Sequence, residues 1–235
     1  MEKIDPKVAY AQKGFRPPAG ATDILLIRHG QSEGMSSSSY PRLDSGQADP
    51  ALSPKGHAQA EAMADRLAEV GIQALYCSTL TRTQQTAAPL AKLTGLEPVA
   101  LADLREVELG EWEGGEFRRR AETDDVTYLE LMRAGEWGII PGAESDEMFG
   151  ARVRAGLLAV EQAHRGQRIG VVCHGGVIGM AISLATGCSP MAFMHVDNCS
   201  ITQLYIHNDL WIVRRVNDTA HLGPAFPPVT DEHVI

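Results

Sequence analysis

Metal-type cysteine spacing is missing from this chain. Its four cysteines, Cys77, Cys173, Cys188 and Cys199, form no CxxC or similar pair, so they read as reduced thiols rather than as a zinc site or a disulfide framework. Long apolar runs are missing too. No stretch nears the roughly 20 apolar residues of a membrane span. Residues 1–22, with their prolines, glycines and charges, hold no apolar core of signal-peptide length. The expectation is a soluble, cytoplasmic protein with no membrane partner. Cationic excess is the third absence: Lys and Arg number 21 against 30 Asp and Glu, a formal net charge of -9. Nucleic-acid binding needs clustered positive charge, so no nucleic acid is expected as partner. A small phosphorylated substrate stays open, because a few arginines in a cleft make a locally positive site on an acidic protein.

What the chain does have is core material, with 44% of its 235 residues hydrophobic, enough for one sizeable domain. Residues 1–22 read as an N-terminal arm, draped on the domain or left mobile. Residues 23–222 read as the main domain and 223–235 as a C-terminal tail. Asp23 to His29 (DILLIRH) is a short apolar run with no room for a helix, hence a buried strand. Residues 34–52, rich in Ser, Gly, Pro and Asp, form a long loop. Ser53-Pro54 starts a helix that Gly71 stops. The alternation continues with a strand at 74–78, a helix at 81–94 ended by Gly95, and a short strand at 98–102. A charged helix is expected over 116–134 and another, capped by Ser145, from Asp146 to His164. A strand at 168–174, a helix at 176–187 and a closing hairpin (201–206 with 211–216) complete the pattern. This order predicts an α/β fold: a three-layer sandwich with a mostly parallel central sheet and helices on both faces.

In open α/β sheets functional groups gather at the carboxyl edge of the strands. Three expected strand ends carry reactive groups: Arg28-His29, Ser78 to Arg82, and His174. A histidine at the end of an apolar strand is costly without a partner or a task, and both His29 and His174 are followed by Gly, which lets backbone N–H groups approach a ligand closely. Other clusters have simpler readings. Gly175-Gly176-Val177-Ile178-Gly179 lacks the spacing of a dinucleotide fingerprint. Cys173 and His174 are adjacent on a strand and point to opposite faces, which argues against a shared metal. His195, Asp197 and Asn198 read as turn and strand-entry structure.

Four segments resemble the histidine phosphatase superfamily, which includes the cofactor-dependent phosphoglycerate mutases. They are Leu26-Ile27-Arg28-His29-Gly30-Gln31-Ser32, then Ser78-Thr79-Leu80-Thr81-Arg82-Thr83, then Leu104-Arg105-Glu106 with Gly110-Glu111-Trp112-Glu113-Gly114, and His174-Gly175-Gly176. They occur in the family's order and span residues 23 to about 185. The resemblance makes 23–222 a catalytic domain and implies a phosphomonoester hydrolase working through a phosphohistidine at His29. Arg28, Arg82, His174 and Gly175 would hold the phosphate, since guanidinium stays charged and binds phosphate oxygens bidentately. Ser32 would either cap a helix or bond a phosphate oxygen. Glu106 would be the proton donor by motif position, with Glu108, Glu111 and Glu113 as rivals on chemistry alone. No metal and no cofactor is expected, and a homodimer is the default assembly.

The departures from the mutase pattern matter. Met35 stands where mutases carry an Asn, no cation follows Gly176, and the segment between Glu106 and His174 is short. A mutase must exclude water from its phosphohistidine, and a phosphatase must admit it, so these departures favour hydrolysis. A mutase-type isomerase and a non-catalytic phospho-ligand or protein-binding member of the same fold are the alternatives, although nothing in the His29, Arg82, Glu106 and His174 set is damaged. Substrate choice is expected in segments 33–52 and 115–145. There the run Arg118-Arg119-Arg120 either senses a second anionic group or, the simpler reading, lies on a solvated helix face.

Overall fold

The apolar segments that leave no side for water become the centre of a sheet. Thr22–Arg28 (β1) is buried at every residue but its last. It is flanked by Arg168–Cys173 (β4), parallel to it, and Ile201–His207 (β5), antiparallel to it. Ala74–Ser78 (β2) lies parallel beyond β4, Val99–Leu101 (β3) parallel beyond β2, and Leu210–Asp218 (β6) antiparallel beyond β5. The strand order is therefore β3-β2-β4-β1-β5-β6. The computed structural model describes residues 11–223 apart from 37 and 44. The first ten residues of the expected arm, and the expected tail beyond residue 223, lie outside the described residues.

Alternation along β1 divides the core in two. Leu25 and Ile27 pack with Leu75 and Cys77 against Pro54–Leu67 (α1) and Thr81–Thr94 (α2), through residues such as Met63, Leu67 and Leu90. Ile24 and Leu26 pack with Val171 and Leu204 against Asp146–Ala163 (α5) and Gly175–Thr186 (α6), through Phe149, Leu157 and Ile178. This is the expected three-layer α/β arrangement. The expected caps form as well: the side chain of Ser53 accepts from the Gly56 N–H, and that of Ser145 from the Met148 N–H. Gly95 closes α2 in the left-handed region, at φ 71°.

One expected helix is two. The segment 116–134 divides into Glu116–Glu122 (α3) and Val126–Ala134 (α4). Between them Asp124 takes φ 49° and Asp125 caps α4, its carboxylate accepting from the Thr127 N–H at 3.0 Å. Aspartate competes for backbone donors and so favours caps over helix interiors, and here that preference outweighs helical continuity. The long loop after β1 folds on itself through isolated bridges, Ser32 to Leu52 and Arg42 to Ala48. In the described part of the arm, Phe15 packs against Tyr205 of β5, ring centroids 5.5 Å apart. All four cysteines are free. No helix among the described residues is long and apolar enough to cross a membrane.

Candidate active site

Parallel register sets the centre of the site. Arg28 on β1 lies opposite Cys173 on β4, so the next residues, His29 and His174, leave the sheet side by side. The His29 N–H donates to the Cys173 carbonyl at 3.0 Å, and the two imidazole centroids are 5.1 Å apart. The turn before β5 holds the end of β1 from the other side. The Asn198 amide donates to the His29 carbonyl at 2.9 Å, the Cys199 N–H donates to that of Arg28, and the Arg28 guanidinium donates to the Val196 carbonyl. The cluster read as strand-entry structure thus fixes the backbone of the central histidine.

His29 is buried, 6% exposed. Its Nδ1 lies 2.7 Å from the Gly30 carbonyl. A carbonyl only accepts, so Nδ1 carries the proton and Nε2 keeps its lone pair. The Arg82 Nε–H points at that Nε2 from 3.3 Å. Burial holds the His29 pKa well below its ordinary value, and the charges of Arg82 and Arg28 push the same way. A neutral, tautomerically fixed imidazole beside two cations is what nucleophilic attack on phosphorus needs.

Arg82 is aimed by the start of α2. That helix has no cap of its own; Asp49, from the long loop, accepts from the Thr81 N–H and Oγ1, each at 2.7 Å. The Arg82 guanidinium also donates to the Ala48 carbonyl at 3.1 Å. Burial lowers its pKa to about 10, against the opposing pull of Glu106 and Asp49, which leaves it charged at neutral pH.

Glu106 follows a 3₁₀ turn at Ala102–Leu104. Its carboxylate accepts from the Gly176 N–H at 3.1 Å and from the Val107 N–H at 3.0 Å. A Cβ on residue 176 would lie 2.4 Å from Glu106 Oε1, so the second glycine of His174-Gly175-Gly176 makes room for the acid. The Glu106 carbonyl accepts from Gln47 and Arg152, and Arg152 also reaches the Arg105 carbonyl while paired with Glu144. Glu108 and Glu111 are exposed. Glu113 is committed elsewhere, accepting from the backbone N–H groups of Leu109 and Ala48.

These groups meet at a cavity of about 200 Å³, whose lining includes Arg28, His29, Arg82, Glu106 and Gly175. Two expected site residues lie behind that wall. His174 is wholly buried, with Nε2 2.8 Å from Ser78 Oγ and Nδ1 without a partner. Ser32 Oγ accepts from Arg118 at 2.8 Å. Arg118 is exposed and at the same time lines the cavity, while Arg119 and Arg120 pair with Glu116. The basic run was a usable signal for Arg118. Nothing in the sequence marked Gln47 or Arg152. Among the described residues no group of three or more His, Cys, Asp or Glu could hold a metal ion.

Comparison with known proteins places this geometry in a family. The model of the histidine phosphatase superfamily (branch 1) matches residues 24–219. A protein of Yersinia enterocolitica named as a probable phosphoglycerate mutase is 31% identical over 216 residues, covering 89% of this chain and 97% of its own. Among solved structures, a mycobacterial glucosyl-3-phosphoglycerate phosphatase in complex with VO3 superposes with a TM-score of 0.70 at 28% identity, over 84% of this chain and 99% of its own. The alpha-ribazole phosphatase of Shigella flexneri superposes with a TM-score of 0.65 at 26% identity, over 83% and 96%. Mutases and phosphatases therefore both stand among the similar proteins, and the chain belongs to the histidine phosphatase superfamily.

Proposed function

We propose that the protein hydrolyses phosphate monoesters of a small metabolite through a phosphohistidine on His29. The observation that carries this is the state of His29: Nδ1 is tied to the Gly30 carbonyl, and Nε2 is unprotonated and faces Arg82. In the first half-reaction Nε2 forms a bond to phosphorus as the ester P–O bond breaks. The leaving oxygen takes its proton from Glu106. In the second half-reaction water attacks phosphorus, Glu106 takes the water's proton, and the N–P bond breaks to release phosphate. Arg28 and Arg82 neutralise the phosphoryl oxygens throughout, the role a metal fills elsewhere. His174 supports this centre from beneath, packed edge-on to His29 and anchored on Ser78.

The test is hydrolysis of an aryl phosphate with chelator present, for the native protein and for His29→Ala. Turnover should survive chelation and fall by at least about 10³-fold in the variant. Undiminished hydrolysis by His29→Ala would falsify the mechanism. The names of the curated relatives favour a second reading, phosphoglycerate isomerisation. Interconversion of 2- and 3-phosphoglycerate faster than phosphate release would select it.

A further inference from the structure

Beyond the arginines, the cavity changes character. Val107, Leu109, Trp112, Phe117 and Trp137 form one wall, and Met35 and Met194 contribute to the rest of the lining. The aromatic members are contiguous: Phe117 lies 6.2 Å from Trp112 and 5.9 Å from Trp137, centroid to centroid. Trp112 and Trp137 are almost wholly buried, at 3% and 2% exposure, so the wall is built into the fold.

The cations lie at one end of the cavity, with Glu106 beside them at the Gly175-Gly176 turn. The three lining cations that are always charged, Arg28, Arg82 and Arg118, cluster where the phosphate goes. Arg118 is held against the segment that follows His29: its guanidinium donates to Ser32 Oγ at 2.8 Å and to the Glu33 carbonyl at 3.2 Å. The other charged lining groups are the carboxylates Glu106 and Glu113. A carboxylate on the substrate's organic part would meet aromatic carbon and the carboxylate of Glu113, and among the described residues no further arginine or lysine lines the cavity to receive it. A ring or branched alkyl group would instead displace water from the wall. The volume is suited to this: a cavity of about 150 Å³ holds benzene, and this one of about 200 Å³ takes a ring-sized body beside the arginines.

We infer that the site takes phosphate esters of uncharged, largely apolar alcohols of single-ring size and discriminates against carboxylated ones such as phosphoglycerates. This rests on the phosphate-binding reading of the same site, so the test must work without turnover. Non-hydrolysable phosphonates are titrated into the full chain by calorimetry: methylphosphonate, benzylphosphonate and 2-carboxyethylphosphonate. Benzylphosphonate should bind about tenfold or more tighter than methylphosphonate, with 2-carboxyethylphosphonate no tighter than methylphosphonate. Phe117→Leu, which keeps an apolar residue in place, should reduce the benzyl advantage severalfold and leave methylphosphonate affinity unchanged. Equal or tighter binding of 2-carboxyethylphosphonate relative to benzylphosphonate overturns the inference, and so does failure of every phosphonate to bind. The benzyl preference without hydrolysis of any ester would sustain the inference and sink the hydrolase reading. Hydrolysis without the preference would do the reverse.

Discussion

Two regions meet at the cavity, and they are built differently. The phosphate end of the proposed site stands on the carboxyl ends of β1 and β4, strands buried on both faces, and on the start of α2. The cover comes from the loop after β1 and from the connections and short helices α3 and α4 between β3 and α5. Its side chains are held by carboxylates that bridge loops: Asp49 to Thr81, Glu113 to Ala48 and Leu109, Asp125 to Arg120. On the proposed function the contrast separates two tasks: the sheet would fix the reacting groups, whereas the cover would select the molecule and could differ without disturbing them.

The sharpest way to break the comparison is at its junction, Arg82. Lysine there keeps the charge but loses the fork that reaches both His29 Nε2 and the Ala48 carbonyl. Arg82→Lys should lower kcat/KM by about 10²- to 10³-fold on any phosphate monoester, read from initial rates. A tenfold loss or less would show that charge alone suffices. Gly176→Ala comes next. Its Cβ would strike Glu106 Oε1, so the acid moves while the fold is kept. Alkyl esters, whose leaving groups need a proton, should slow by about 10²-fold, and aryl esters by far less. Equal slowing of both would assign the acid to another residue.

Acid should damage the phosphate end first. His29 and His174 are buried and neutral, with pKa values held well below the ordinary 6.5, chiefly by burial. As pH falls through about 6.5 the unfolded chain takes up these protons and the native state does not. Stability therefore declines below that pH, by up to about 2.7 kcal/mol per pH unit for the pair. Urea melts at pH 7.5 and 5.5 would check this, and His29→Gln should remove about half of the pair's contribution. The smallest effect belongs to the cover. Asp125→Ala loses the cap of α4 and should cost about 1 kcal/mol by thermal melt, with aryl phosphate turnover kept. A collapse of turnover would mean that the cover also positions the reacting groups.

The sequence disclosed the phosphate end more fully than the cover, for physical reasons. A polar residue ending an apolar strand is conspicuous, and alternating strands and helices imply layers, so the strand ends at Arg28 and His29 and the α/β layering were legible. The basic run flagged Arg118 with its two neighbours but did not single it out: neighbouring residues on α3 project about 100° apart, and only the docking of the helix decides which guanidinium lines the cavity. The break at Asp124 was lost to a charged, helix-favouring composition that satisfies either one helix or two. His174 stood out in the sequence, but its burial behind the cavity wall and its anchoring on Ser78 depend on how β2 and β4 lie together. Arg152 and Gln47 grip the Glu106 carbonyl from distant segments, contacts that leave no local pattern.

The two histidines sit one residue beyond paired positions on adjacent parallel strands, and their centroids are 5.1 Å apart. Neighbouring strands in any sheet lie about 4.8 Å apart. The spacing of the two backbones is thus a gauge set by the sheet, and the Gly30 carbonyl and Ser78 Oγ hold the two rings at that spacing. Whatever the cover is exchanged for, in nature or by design, the reaction centre keeps its calibration as long as those two strands remain neighbours.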